Sequence, residues 1–217
     1  MGFAGSNPVR FLKQFNDFGL KGKVAVLGNT TSTDEGILRV MGDEAVGVYT
    51  AGWYAAGLET PDNKKFVAGI NAAYKHDPGF YTAGPYTALL IIEEALKTAG
   101  GNADDAPAFL KAMHEVRLTQ GPIGPVRLDE YGTPILDIHI RKVARVNGKL
   151  TNTTVKTYPQ VSQFWTYDPK KFIEQPVFSR LPSEPKPRIA KVQTGRHLRR
   201  LPFGLRAARS ILKSKVG

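Results

Sequence analysis

Between residues 135 and 146, apolar Leu136, Ile138 and Ile140 alternate with polar Asp137, His139 and Arg141. A period of two is the pattern of a half-buried strand. It predicts that Leu136, Ile138 and Ile140 lie on the buried side. Asn147-Gly148 comes next, and both residue types tolerate positive φ. Between two strand-like runs this pair predicts a tight hairpin. The return strand is expected over residues 149–158, with Thr151, Thr153, Val155 and Thr157 on one face. Ahead of the hairpin, PVRLD at 125–129 reads as a short strand and Asp129-Glu130-Tyr131-Gly132 as a polar turn.

The earlier part of the chain carries the helical period. Ser6-Asn7-Pro8 is a polar cap with proline in the first turn. Phe11, Leu12, Phe15 and Phe18 follow at helical spacing, are expected in the core, and stop at Gly19. Residues 23–27 (KVAVL) predict a short buried strand ending at Gly28. Ser32-x-x-Glu35 has the form of a capping box, ahead of a helix with Ile37, Leu38 and Met41 on its apolar face. Residues 46–50 predict another short strand, and 51–59 a loop. Thr60-Pro61 opens a helix presenting Phe66, Val67, Ile70 and Tyr74. Asp77-Pro78-Gly79 breaks the chain. A further helix covers 86–99 with Tyr86, Leu89, Leu90, Ala95 and Leu96. Pro85 either starts it or kinks a longer helix. Asp105 caps the next one, which carries Phe109, Leu110, Met113 and Val116.

Helices alternating with short apolar strands predict an α/β fold with a parallel sheet, to which the late hairpin adds an antiparallel element. The chain has 217 residues, 41% of them hydrophobic and 23% charged, as in ordinary globular proteins. No apolar run reaches the ~18 residues of a membrane span. The N-terminal MGFAGSNPVR shows neither a charged start nor an apolar core, so no export signal is expected in it. Cysteine is absent, which excludes disulfides and thiolate chemistry. The net charge of +11 is uneven. Residues 181–217 hold ten Lys and Arg against Glu184 alone, so nine of the eleven net charges lie there. The body is weakly basic, and nucleic-acid binding is not expected of it. LPSEPKPR reads as linker or disorder, and residues 198–216 as a basic amphipathic helix.

Enzyme signals are weak. His76, His114, His139 and His197 are scattered without ligand spacing, and phosphate-loop, dinucleotide and nucleophile-elbow motifs are missing. No catalytic residue, metal site or cofactor is expected. A binding reading has more support, because ligands of open α/β sheets sit beyond the carboxyl ends of strands. Two polar, glycine-containing loops feed helix starts there: Phe3, Ala4, Gly5 and Ser6, and then the loop with Asn29, Thr30 and Thr31. The alternative is that these hydroxyls only cap helices.

GPVRLDEYGTPILDIHIRKVARVNGKL, followed by TYPQVSQFWTYDPKKF, resembles the C-terminal part of the leucine/isoleucine/valine-binding proteins. These are type I periplasmic solute-binding proteins of ABC importers. The resemblance extends roughly over residues 3–180. Family members are about twice as long, so it implies a C-terminal half: a truncated type I periplasmic-binding-protein fold with a parallel sheet, flanking helices and the C-terminal antiparallel hairpin. The second lobe would comprise about 3–50 and 133–165. Part of the first lobe would be about 51–130, leaving 181–217 as a basic, disordered or helical tail.

The resemblance also implies a ligand between two lobes joined by three crossing strands. Phe3, Ala4, Gly5, Ser6, Asn29, Thr30 and Thr31 would then be ligand-binding, with Tyr49 beside a hinge crossing. Trp53 and Tyr54 would border the cleft or pack in the core. Thr30 stands where the family can carry an acid for the ligand's ammonium group, so ammonium recognition would need Asp34 or Glu35 to reach in. The implied role is a non-enzymatic amino-acid receptor, branched-chain or related, in the periplasm, with an ABC permease as partner. Competing expectations are a cytoplasmic ligand-sensing regulator of the same fold, a non-functional remnant, and nucleic-acid or anionic-membrane binding through the tail. With the rest of the receptor outside the chain, Phe66, Ile70, Leu89 and Leu96 would be partly exposed. Because the tail offers little apolar surface to offset ordering entropy, deleting residues 181–217 is expected to leave the body's melting temperature unchanged in calorimetry. A large drop would show a docked tail.

Overall fold

The computed structural model describes residues 1–176; the sequence expectations for 181–217 lie outside them. Contacts divide the chain into Met1–Thr166 and a second unit from Tyr167. In the second, a short helix, Pro169–Ile173, is capped by Asp168, which accepts the Lys171 N–H at 2.9 Å.

In the first unit the elements follow as α1 (Asn7–Asp17), β1 (Leu27–Asn29), a 3-10 turn (Thr30–Thr33), α2 (Glu35–Leu38) and β2 (Tyr49–Gly52). Next come α3 (Pro61–Tyr74), α4 (Phe80–Thr98), α5 (Ala106–Glu115), β3 (Arg117–Leu118), β4 (Val126–Leu128), β5 (Pro134–Val146) and β6 (Lys149–Val161). The sheet order is β1-β2-β5-β4-β3, with β6 also on β5. The parallel ladder is β1–β2, and β5 pairs antiparallel with β2, β4 and β6. The fold is therefore α/β with flanking helices and the expected hairpin.

The hairpin turn has positive φ at Asn147 (50°) and Gly148 (80°), as its residue types predicted. Its buried face is the opposite of the expected one. His139, Arg141 and Val143 are buried, whereas Leu136, Ile138 and Ile140 are only half-buried. Period two identifies two faces; which one is covered depends on what packs there. Val143 meets the α1–α2 core, and Arg141 is enclosed by polar partners. β6 is bulged in its pairing near Ile140–Arg141, so the expected row of Thr151, Thr153, Val155 and Thr157 is not one continuous face.

Two apolar clusters flank the central strands. One joins Leu12, Leu38, Met41, Ala45 and Val48 to Val143. The other gathers Tyr54, Phe66, Ala83, Ile91, Ala95, Ala112, Val116, Ile123 and Val126. Full burial of a side chain such as Leu12 or Leu38 contributes about 1.5–3 kcal/mol.

Local caps formed as expected at Thr60, which accepts the Asn63 N–H, and at Asp105, which accepts the Ala108 N–H. Other expectations are corrected. The first strand is 27–29 rather than 23–27 and is exposed, because its outer neighbour is only the entering chain. There the Met1 amino group donates to Leu27 O at 2.6 Å, and the Asn29 N–H donates to Met1 O. The second is 49–52 rather than 46–50. Phe18 is 80% exposed, lying past the last turn of α1, while Leu12 takes the core position. The helix expected from 86 begins at Phe80 and contains Pro85. Its inward face is Ala83, Thr87, Ile91 and Ala95, so Leu89 points outward at 63% exposure. Phe66, expected partly exposed, is buried, and Ile70 and Leu96 are half-buried.

Gly148→Ala should destabilise the body by about 1 kcal/mol, since a Cβ disfavours left-handed backbone. Denaturant unfolding would show this as a lower midpoint; an unchanged midpoint would mean that the turn adopts another conformation.

Candidate functional site

The two loops singled out in the sequence share one rim. The chain enters beside β1, so residues 3–6 and the turn after β1 emerge side by side. Thr31 Oγ lies 2.9 Å from Phe3 O and 3.0 Å from Asn29 Oδ1. Ser32 Oγ lies 3.2 and 2.6 Å from the same two oxygens. Each hydroxyl has one proton, so both are committed to the Phe3 carbonyl and the Asn29 amide oxygen. Thr30 Oγ donates to Ala51 O at 2.6 Å, fastening the turn over the end of β2. Gly52 is required there, because a Cβ would collide with the Thr30 hydroxyl.

Phe3, Ala4, Gly5, Ser6 and Asn29 are exposed, and Gly5 takes φ 62°. Ser6 precedes α1 but makes no side-chain cap; Pro8 has no N–H and the Arg10 N–H goes to Ser6 O, so the uncapped donors of the first turn are the Asn7 and Val9 N–H groups. Tyr49 is not brought to this rim. It opens β2 at the other end of the strand, opposite Leu27, with the Lys142 ammonium 5.3 Å from its ring centroid. Trp53 and Tyr54 pack into the second apolar cluster, Trp53 edge-on to Phe80 at 5.7 Å.

Behind the rim lies a buried polar knot that sequence reasoning missed. Arg141 has no exposed surface. Its guanidinium donates to Thr50 Oγ at 3.1 Å, Tyr54 O at 2.6 Å and Thr30 O at 3.1 Å. The last bond ties the crossing strand β5 directly to the rim. Asn152 of β6 donates to Thr33 O at 2.6 Å and to Glu35 Oε1 at 3.1 Å, while Thr33 Oγ donates to Asn152 Oδ1.

Neither nearby acid reaches the rim. The expected Ser32–Glu35 capping box is absent, because Ser32 is taken by Phe3 and Asp34 caps α2 through the Gly36 N–H. Asp34 also accepts the Phe80 N–H at 2.8 Å, and Glu35 accepts the Ala56 N–H at 3.0 Å. Burial pushes the Glu35 carboxyl up to about 7. Burial likewise lowers His139, which lies beside Gly52 in the ladder with Nδ1 2.9 Å from Thr157 Oγ. The signal available beforehand was Arg141 within an otherwise strand-like run.

Two open cavities lie away from the rim. One of about 810 Å³ is lined by Asp62, Phe66, Tyr86 and Arg117, and one of about 600 Å³ by Phe15, Lys21 and Glu44. No cluster of three His, Asp or Glu fit for a metal occurs among the described residues, and none of their helices is long and apolar enough to cross a membrane.

Gly52→Ala should destabilise the fold by about 1–3 kcal/mol, the scale of overpacking. Thr30→Ala in the same background should recover most of the loss in urea unfolding. Loss of equal size with and without Thr30 would show that the two do not press on each other.

The profile of the periplasmic binding protein family matches residues 1–149. A Leu/Ile/Val-binding protein homolog from Brucella melitensis is 30% identical over 162 residues, covering 71% of this chain and 40% of the relative. The chain therefore spans about 40% of the length of the curated relatives it matches. An ABC transporter substrate-binding protein from Sphaerobacter thermophilus is 29% identical with a TM-score of 0.69, covering 72% of this chain and 43% of that one. A solute-binding protein of an ABC transporter from Rhodopseudomonas palustris, in complex with 3,4-dihydroxybenzoic acid, is 35% identical with a TM-score of 0.68, covering 77% and 45%. These relatives are solute-binding proteins of importers rather than enzymes. With the match over residues 1–149 and the shared fold, this chain belongs to the periplasmic binding protein family.

Proposed function

We propose that this chain supplies one cleft wall and crossing strands of a solute-binding receptor serving an ABC importer. We further propose that its ligand is a small aromatic carboxylic acid. The carrying observation is the chemistry of the rim. Thr30 is neutral, and Asp34 and Glu35 are turned inward and spent on the Gly36, Phe80 and Ala56 N–H groups and Asn152. An α-amino acid's ammonium group would find no free acid on this wall. What the rim offers is donors: the Ser6 hydroxyl and the uncapped first turn of α1. Such a helix end favours a carboxylate. The Rhodopseudomonas relative bound to 3,4-dihydroxybenzoic acid supports the same class. The rival ligand, a branched-chain amino acid, is supported by the name of the Brucella relative.

In this reading Phe3, Ala4, Gly5, Ser6, Asn29, Thr30 and Thr31 form the wall. The cluster of Leu12, Leu38 and Val143 belongs to one lobe (about 3–50 and 133–165), and the cluster of Phe66, Ile91 and Ile123 to part of the other (about 51–130). Two separate apolar clusters joined through β2, β5 and β6 support that division. Closure around the ligand would proceed by hinge bending at the crossing, with closed-state contacts supplying the differential affinity. Tyr49, away from the rim, would serve the crossing rather than touch ligand.

One wall gives little enclosure. The chain alone should bind neither leucine nor 3,4-dihydroxybenzoate more tightly than about 100 μM, equivalent to about 5.5 kcal/mol. Exchanged for the corresponding part of the Rhodopseudomonas relative, residues 3–165 should retain 3,4-dihydroxybenzoate binding in calorimetry and give none with leucine. Ser6→Ala in that hybrid should weaken binding by about 1 kcal/mol. Preferential leucine binding would overturn the aromatic-acid reading, and tight binding by the chain alone would overturn the one-wall reading.

A further inference from the structure

Glu35 begins α2 with its side chain buried, 6% of the residue exposed. Oε1 is held from two directions, by the Ala56 N–H of the loop after β2 and by the Asn152 amide of β6. Oε2 is buried without a hydrogen-bond partner, and so is the Tyr54 hydroxyl. A buried, half-satisfied carboxylate is costly, whereas the neutral acid leaves far less charge unsolvated.

The position matters because it is a seam. Leu38 and Met41, just beyond Glu35, belong to one apolar cluster; Tyr54, flanking the Ala56 contact, belongs to the other. Asp34 reinforces the seam by accepting the Phe80 N–H at the start of α4.

We infer that Glu35 is a proton-operated latch between the two cores, closed when its buried carboxyl is neutral and loosened when it ionises. The groups facing it divide as follows. On its own element, Asp34 opposes ionisation. From β5, Arg141 favours it, but its N–H groups go to Thr50, Tyr54 O and Thr30 O rather than to the carboxyl. Tyr54 is held neutral, its hydroxyl raised above the ordinary range by burial and the nearby acids. Asp77, from the α3–α4 turn, is paired with Lys149 of β6 at 2.5 Å. A cavity of about 430 Å³ adjoining Glu35 brings in Arg39, Lys75, His76 and Arg145 at its walls; Arg145 is paired with Asp43. Burial outweighs the Ala56 and Asn152 hydrogen bonds and the Arg141 charge and places the carboxyl at about 7 against an ordinary 4.5.

Because the folded value lies above the unfolded one, the latch's contribution is fully present below about pH 4.5 and is lost as pH rises through about 7. In a receptor that closes by hinge bending, this seam would make the closing equilibrium pH-sensitive. The latch itself does not depend on the ligand reading.

The test uses the full chain without ligand. Carbon-detected NMR follows the Glu35 side-chain carboxyl, and amide exchange follows Ala56, with the Val143 N–H, bonded to Val48 O, as a control in the other core. Expected are a carboxyl midpoint near pH 7 and an Ala56 protection factor that falls about tenfold or more from pH 5 to 8. The Val143 protection should change less, and Glu35→Gln should abolish the pH dependence at Ala56. A midpoint near 4.5 would overturn the inference, as would pH-independent protection at Ala56. The same fall in Glu35→Gln would also overturn it. Should Glu35→Gln fail to fold, the wild-type titration and exchange decide alone.

Discussion

A guanidinium with no access to water must have its N–H groups met inside the protein. Each of the three Arg141 guanidinium nitrogens has an oxygen partner: Thr50 Oγ on β2, the Tyr54 carbonyl just after it, and the Thr30 carbonyl at the rim. Each partner is fixed in turn. Thr30 is pinned to Ala51 O, and Thr50 lies 3.3 Å from Thr33 Oγ, which reaches Asn152. One buried cation thereby ties together the rim loop, the end of β2 and its neighbour β5. The knot takes up Glu35 through Asn152, and Asp34 is spent beside it on the Gly36 and Phe80 N–H groups, so neither acid is left at the rim.

Much of the local structure was legible in the sequence because it is decided locally. Asn147-Gly148 both adopt positive φ, and Thr60 and Asp105 cap the helices they precede. What was not legible depended on distant partners. Alternation in β5 marked a strand but could not say that the polar side would be buried. Arg141 finds its acceptors 87 to 111 positions away. The cap of α2 was expected at Ser32, but that hydroxyl goes to the Phe3 carbonyl, 29 positions away, and Asp34 caps the helix instead. For α4, an apolar stripe on both sides left the inward face to be set by packing against the second cluster.

The candidate wall was half legible. Glycine-containing polar loops before helices marked residues 3–6 and 29–31, and the structure puts them side by side through the Phe3 carbonyl. Tyr49 was read from its place near a crossing, but strand direction carries it to the far end of β2. Thr30 was marked as a departure from a family pattern. The structure adds that its backbone carbonyl, more than its side chain, connects the wall to the core.

The central claim is that one connected polar knot joins the crossing strands, α2 and the rim. A double-mutant cycle between Arg141→Met and Asn152→Ala, read by urea unfolding, tests it most directly. The two residues bond different partners and meet only through Thr33, Thr50 and the Glu35 charge. A connected knot predicts a coupling of about 1 kcal/mol or more between them. Losses that add to within about 0.3 kcal/mol would mean two independent buried contacts, and would contradict the account.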